Sequence, residues 1–212
     1  MQPDYTDGLL RLYHADCRDV LPHVQQDITA VVSDPPYGCK NDCNYTRFSG
    51  GLSPHRNFHK GIKGDDTPFD PAPWLTFPKV VLFGYQFFAP KLPIGTILVW
   101  LKKRDNQLGS FLSDCELAWM KGGKGCYLFP HVWHGFDRQT ERGKTLHPSQ
   151  KPVSVMEWVM QRAKITPADV VIDPYMGSGA TALACRNLGI PFVGCEIEQQ
   201  YFDIAVGRVR HA

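Results

Sequence analysis

Short apolar runs alternate with amphipathic stretches along most of this chain. Leu9-Leu10-Arg11-Leu12-Tyr13, Ile28-Thr29-Ala30-Val31-Val32, Val80-Val81-Leu82-Phe83, Thr96-Ile97-Leu98-Val99-Trp100-Leu101 and Glu116-Leu117-Ala118-Trp119-Met120 each read as a strand. Val170-Val171-Ile172 and Phe192-Val193-Gly194-Cys195 add two more. Val155, Met156, Val159, Met160 and Ala163 fall at helical spacing behind Pro152, which suits a first helical turn. A second helix is predicted over 178–188, closed by Gly189. A third is predicted over 199–209, with Tyr201, Ile204, Ala205 and Val209 facing inward. Strands alternating with helices predict an α/β fold whose parallel crossovers are right-handed.

Two segments break the pattern. Residues 38–78 and 121–147 are rich in Gly, Pro, Asn, Asp or His and show little periodicity, so both read as long loops. No stretch approaches the ~20 apolar residues that span a bilayer, and the first residues carry no signal-peptide pattern. The seven scattered Cys then read as reduced thiols, with a cytoplasmic location expected. At 212 residues and 43% hydrophobic, one domain over 1–212 with a sizeable core is expected.

A net charge of +2 excludes a strongly basic, histone-like protein, but the charge is unevenly spread. Residues 1–38 hold six Asp against two Arg, and residues 102–144 hold eight Lys or Arg against five Asp or Glu. The acidic third contains Asp34-Pro35-Pro36-Tyr37, just past a predicted buried strand. Two prolines remove two N–H donors, which leaves their carbonyls and the Asp34 carboxylate as an acceptor-rich corner. Such a corner can hold both protons of an exocyclic amine, and Tyr37 offers a flat face for a base.

In the last third, Asp173-Pro174-Tyr175-Met176-Gly177-Ser178-Gly179-Ala180-Thr181 follows a strand and opens a helix. Its glycines allow a tight turn and close backbone approach to a ligand. Glu196 ends the next strand, where a carboxylate can accept from ribose hydroxyls. This is not the dinucleotide fingerprint: position 182 is Ala182, and Asp173 would repel a pyrophosphate. A cationic, phosphate-free ligand such as S-adenosylmethionine suits it better.

Asp34-Pro35-Pro36-Tyr37-Gly38 resembles the catalytic motif of amino-group DNA methyltransferases, and residues 173–181 resemble their S-adenosylmethionine loop. His147-Pro148-Ser149-Gln150-Lys151-Pro152 and Leu12-Tyr13-His14-Ala15-Asp16-Cys17 resemble two further segments of that family. Catalytic motif first and cofactor loop last is the permuted order of its β class. The resemblance implies a Rossmann-like class I methyltransferase fold, a mostly parallel twisted sheet with one antiparallel strand. It implies that Asp173, Tyr175, Gly177, Ser178 and Gly179 hold the cofactor, with Glu196 on its ribose. Asp16 and Cys17 would lie at its adenine, and Ser149 and Lys151 near its methionine carboxylate. Asp34, Pro35, Pro36 and Tyr37 would act on the target amine, without a metal.

N6-adenine is the expected target, because the family tends to use Asp-Pro-Pro-Tyr for adenine and Ser-Pro-Pro-Tyr for N4-cytosine. N4-cytosine methylation, methylation of RNA or of a glutamine amide, and an inactive DNA-binding module are the alternatives. DNA is the expected partner, with a homodimer left open. Phosphate contacts are expected from Lys40, Arg47, Arg56, Lys60 and Lys63 in the first loop. Others are expected from Lys102, Lys103, Arg104, Lys121, Lys124, Arg138, Arg142 and Lys144. Trp133, His131 and His134 are expected in a packed aromatic corner. Residues 121–146 form a short candidate recognition segment, which predicts a short or relaxed DNA site. Cys39, Cys43, His55 and His59 have nearly zinc-finger spacing, but Gly50-Gly51 and Pro54 would break the helix carrying the histidines, so no metal is expected.

Overall fold

The computed structural model describes residues 1–40, 62–110, 112–134, 137–142, 146–147 and 149–212. Its strands are β1 (Tyr5–Thr6), β2 (Leu10–His14), β3 (Ala30–Ser33), β4 (Lys79–Phe83), β5 (Gly95–Leu101), β6 (Cys115–Pro130), β7 (Trp133–His134), β8 (Asp137–Arg138), β9 (Val171–Asp173) and β10 (Phe192–Glu196). The helices are α1 (Cys17–Val24), α2 (Tyr85–Phe88), α3 (Val153–Arg162), α4 (Ala180–Leu188) and α5 (Gln199–Arg210).

Eight strands form one sheet in the order β1-β2-β10-β9-β3-β4-β6-β5. The run β2-β10-β9-β3-β4 is parallel throughout. Its strands are continuous apolar runs because helices cover both faces. Val155, Met156, Val159 and Met160 of α3 pack on one face with Ala182 and Leu183 of α4 and with Phe202 and Ala205 of α5. Val20 and Val24 of α1 pack on the other with Phe69, Trp74, Phe77 and Phe88.

Antiparallel pairing enters the large sheet at the first arm of β6, and again at the β1 edge. Short β1 pairs antiparallel with β2 at one edge, and β6 pairs antiparallel with β4. Residues 121–130, expected in a long loop, are instead strand. β6 turns at Gly122 and Gly123, whose φ values of +83° and +67° only glycine takes without strain. It thereby wraps the start of β5, where the Thr96 hydroxyl donates to the Gly122 carbonyl at 2.9 Å. β5 then pairs with both arms: Thr96 faces Met120 and Leu101 faces Cys115 on the first, while Ile97 faces Cys126 and Leu101 faces Pro130 on the second. Beyond it, β7 and β8 form a small antiparallel pair.

Helix boundaries differ where glycine or proline intervenes. α4 starts at Ala180 rather than near 178, because Gly179 is left-handed at φ +79°. No helix is predicted over residues 17–24, where Pro22 interrupts the pattern; Asp16 nucleates α1 by accepting from the Arg18 N–H at 2.9 Å. On α5, Phe202, Ala205, Val206 and Val209 are buried, whereas Tyr201 and Ile204 are only half-buried. Among the described residues no helix is long and apolar enough to cross a membrane.

Candidate active site

Four adjacent parallel strands each deliver a carboxylate to the same edge of the sheet. Asp16 follows β2, Glu196 ends β10, Asp173 ends β9, and Asp34 follows β3. Clefts at the carboxyl ends of parallel strands are where such sheets bind ligands. Asp173 is buried and accepts from Ser33 Oγ at 2.6 Å, Thr181 Oγ1 at 2.5 Å and the Tyr175 N–H at 3.1 Å. Burial outweighs these bonds and pushes its carboxyl up to about 6. Glu196 accepts from the Gly177 N–H at 2.9 Å and the Glu198 N–H at 2.8 Å, and burial raises its carboxyl too. Asp16 is bonded by the Arg18 guanidinium, which holds its carboxyl low.

The turn between β9 and α4 is shaped by close approach. Gly177 and Gly179 have φ of +53° and +79°, and a Cβ on Gly179 would lie 3.0 Å from Ala205 Cβ. His147 lies against Gly177, edge-on to Tyr201, and accepts the Ser149 N–H at 3.2 Å. Arg208 donates to the Ser178 carbonyl at 2.7 Å and hydroxyl at 3.2 Å. Tyr175 packs edge-on to Phe69 and Trp74.

Asp34 sits at the centre of a second network. The Tyr37 hydroxyl donates to its Oδ1, and Lys151 Nζ to its Oδ2. Lys151 also pairs with Glu116 Oε2 at 3.1 Å, and Lys102 reaches Glu116 Oε1 at 2.8 Å. Burial raises the Asp34 carboxyl against the pull of Lys151. For Glu116 burial is outweighed by Lys151 and Lys102, which bring its carboxyl down to about 2. Lys151 is held charged by the two carboxylates despite its burial. Pro35 is buried, Pro36 half-buried. The N–H groups of Tyr37, Gly38 and Cys39 converge on Asp65 Oδ1 at 3.0, 2.9 and 3.3 Å, which fixes the turn after the prolines.

A family model of N6/N4 type, described as DNA methylase, matches residues 99–207. The chain belongs to this DNA methylase family. It is 44% identical over 84 residues to the type II methyltransferase M.ScaI of Streptomyces caespitosus, a match covering 39% of this chain and 27% of that one. The chain thus spans well under half the length of the curated relatives it matches. The M1.HpyAVI–SAM complex superposes with a TM-score of 0.56 at 24% identity, over 94% of this chain and 100% of that one. The PvuII cytosine-N4-specific DNA methyltransferase gives 0.60 at 13% identity, over 98% and 88%. These likenesses show the class I methyltransferase fold expected from the motif order.

Within this methylase, the structure joins some expected site residues and separates others. Lys151, expected near the cofactor's methionine carboxylate, pairs with Asp34. Ser33 links the two networks, since it donates to Asp173 one residue before Asp34. Lys121 turns away: its ammonium donates to the carbonyls of Leu75 and Phe77, ahead of β4 and at the opposite edge of the sheet. Lys103 is buried on Asp114, and Arg104 pairs with Asp137. Arg138 lies over Trp133, 4.3 Å from the ring centroid. Cys43, His55, His59, Arg47, Arg56, Lys60, Lys144 and Pro148 lie outside the described residues. Asp65, Glu116 and Arg208 are not among the expected site residues, since nothing local marks them, and Thr181 is expected only as the end of the glycine-rich segment.

Proposed function

We propose that this chain, as one domain over residues 1–212, methylates the N6 amino group of an adenine turned out of duplex DNA, using S-adenosylmethionine. The observation that carries this reading is the Asp34 carboxylate, held by Tyr37 and Lys151 at an edge that also presents Asp173, Glu196 and Asp16. A row of acids beside a glycine turn fits a phosphate-free cation bearing hydroxyls. Asp173, Tyr175, Gly177, Ser178, Gly179 and Glu196 would hold that cofactor, with Asp16, Cys17, Ser149 and Lys151 as further contacts. When bound, it supplies a methyl group already activated on a sulfonium.

The chain's own residues must ready the amine, whose lone pair is delocalised into the ring. Asp34 and the Pro35 carbonyl would accept hydrogen bonds from its two N–H groups, favouring a pyramidal nitrogen with an aimed lone pair. Pro36 fixes the direction of that carbonyl. Tyr37 orients Asp34 through its hydroxyl and stacks on the base, offsetting part of the few kcal/mol of lost stacking. Positioning and fixed dipoles supply the rate.

Nucleoside mass spectrometry after incubation with plasmid DNA and S-adenosylmethionine tests the reading. N6-methyladenine is expected; N4-methylcytosine alone, the chemistry named for the PvuII neighbour, would replace adenine by cytosine. Asp34→Ala should abolish transfer while calorimetry still records cofactor binding. Retained transfer would remove Asp34 from its role.

A further inference from the structure

Both oxygens of Asp34 are taken by the protein itself, Oδ1 by Tyr37 and Oδ2 by Lys151. Each oxygen could still accept a second hydrogen bond, but an amine proton meets Asp34 at full strength only when one of these donors lets go. Tyr37 belongs to the same turn, and Asp65 clamps that turn through three N–H groups. Lys151 is the donor with an alternative. Its Nζ lies 5.3 Å from the Phe83 ring centroid, at the carboxyl end of β4. β4 runs between β3 and β6, so the ammonium sits between a carboxylate from each neighbour, Asp34 and Glu116. Lys102 holds the other Glu116 oxygen at 2.8 Å and fixes that second carboxylate in place.

We propose that Glu116 is a positioning residue for the methyl transfer: it takes the Lys151 ammonium when Lys151 leaves Asp34 Oδ2, opening that oxygen to the target amine. This deepens the proposed function and rests on it. Two ammoniums and two carboxylates balance, so the handover moves a proton donor by one hydrogen bond and leaves no charge buried alone. Without Glu116, Asp34 would be the one carboxylate paired with Lys151 among the described residues, and the pair would stay closed. The groups facing Asp34 are Tyr37 from its own turn, Lys151 from the segment before α3, Glu116 from β6 and Asp173 from β9.

Glu116→Gln keeps shape and removes charge. Carbon-13 NMR of the aspartate carboxyls in cofactor-free protein, with the Asp34 signal assigned by Asp34→Asn, reads the coupling without any methyl transfer. In Glu116→Gln the Asp34 midpoint should fall by about one pH unit, because Lys151 then acts on Asp34 alone. Lys102→Met should move it the other way. In the transfer assay Glu116→Gln should lower kcat about tenfold with little change in KM for DNA, with its acid limb displaced to lower pH. Glu116→Asp should recover part of the loss. An unmoved midpoint with kcat within about twofold of wild type overturns the proposal. A wild-type protein that makes no methylated nucleoside overturns the proposed function instead, and the NMR midpoints still decide whether Glu116 holds Lys151. If Glu116→Gln does not fold, the upward shift in Lys102→Met decides alone.

Discussion

The Tyr37 ring lies stacked on Phe87, with centroids 4.7 Å apart and planes 13° from parallel. Phe87 is 46% exposed, on the four-residue helix α2, and its neighbour Phe88 carries the core contact. The Phe87 ring thus covers a face of Tyr37 that a target base would use. An aromatic pair of this kind contributes about 0.5–1.5 kcal/mol. Phe87→Ala should free that face and lower KM for DNA by roughly 2–10-fold, while lowering stability in urea by about the 0.5–1.5 kcal/mol of the lost pair. Steady-state methyl transfer reads it; a raised KM would make Phe87 a stacking partner of the base instead.

Gly84 supports the same ring from beneath. Its φ is +81°, and a Cβ there would stand 2.1 Å from Tyr37 Cε1. Gly84→Ala should cost about 1–3 kcal/mol in backbone strain and displacement, seen in urea unfolding. It should also reduce kcat more than tenfold, since a shifted ring carries its hydroxyl off Asp34 (about 1.4 kcal/mol per tenfold). Affinity for S-adenosylmethionine, proposed to bind across β9 and β10, should change little.

What the sequence made legible follows from how far each signal reaches. The parallel strands were readable because burial on both faces leaves unbroken apolar runs such as Ala30-Val31-Val32. Asp34 and the Gly177–Gly179 turn were readable because their chemistry lies within one short stretch. Glu116 meets Lys151 and Thr29 meets Asp169 only through the folded sheet, so no spacing announces them. The second arm of β6 was misread because Gly122-Gly123, which turns the strand round Gly95, looks locally like a loop. α1 was hidden by Pro22, and its start depends on Asp16 acting as a cap rather than as a free acid.

His147 ties stability to pH. Burial, with help from Lys151, pulls its imidazole from 6.5 down to about 4. The unfolded chain binds that proton near 6.5 and the folded chain does not, so this contribution is full above pH 6.5. It is lost as pH falls from 6.5 toward 4, by up to about 1.4 kcal/mol per unit. His147→Asn should flatten that slope. Urea unfolding of both proteins at pH 7 and pH 5 checks it, and equal slopes would show that His147 takes up its proton in the folded state.

In its proposed role, Asp173 ties cofactor binding to pH in the same sense as a surface acid, but with its midpoint moved upward. A surface carboxylate is fully ionised by pH 5, but this one reaches only half-ionisation at about 6 because burial opposes its charge. A cationic ligand needs the ionised form. Affinity for S-adenosylmethionine should therefore be flat above pH 7 and weaken below 6, approaching tenfold per unit. Thr181→Val removes the 2.5 Å hydroxyl bond that favours the charged form, while nearly keeping shape. The midpoint should then move upward, and affinity at pH 6.5 should drop more than affinity at pH 8. Asp173→Asn should bind weakly at every pH, with no midpoint in this range. Isothermal titration calorimetry from pH 5 to pH 8 separates the three proteins. A wild-type profile that stays level through pH 6 would mean that Asp173 does not carry the cation's charge.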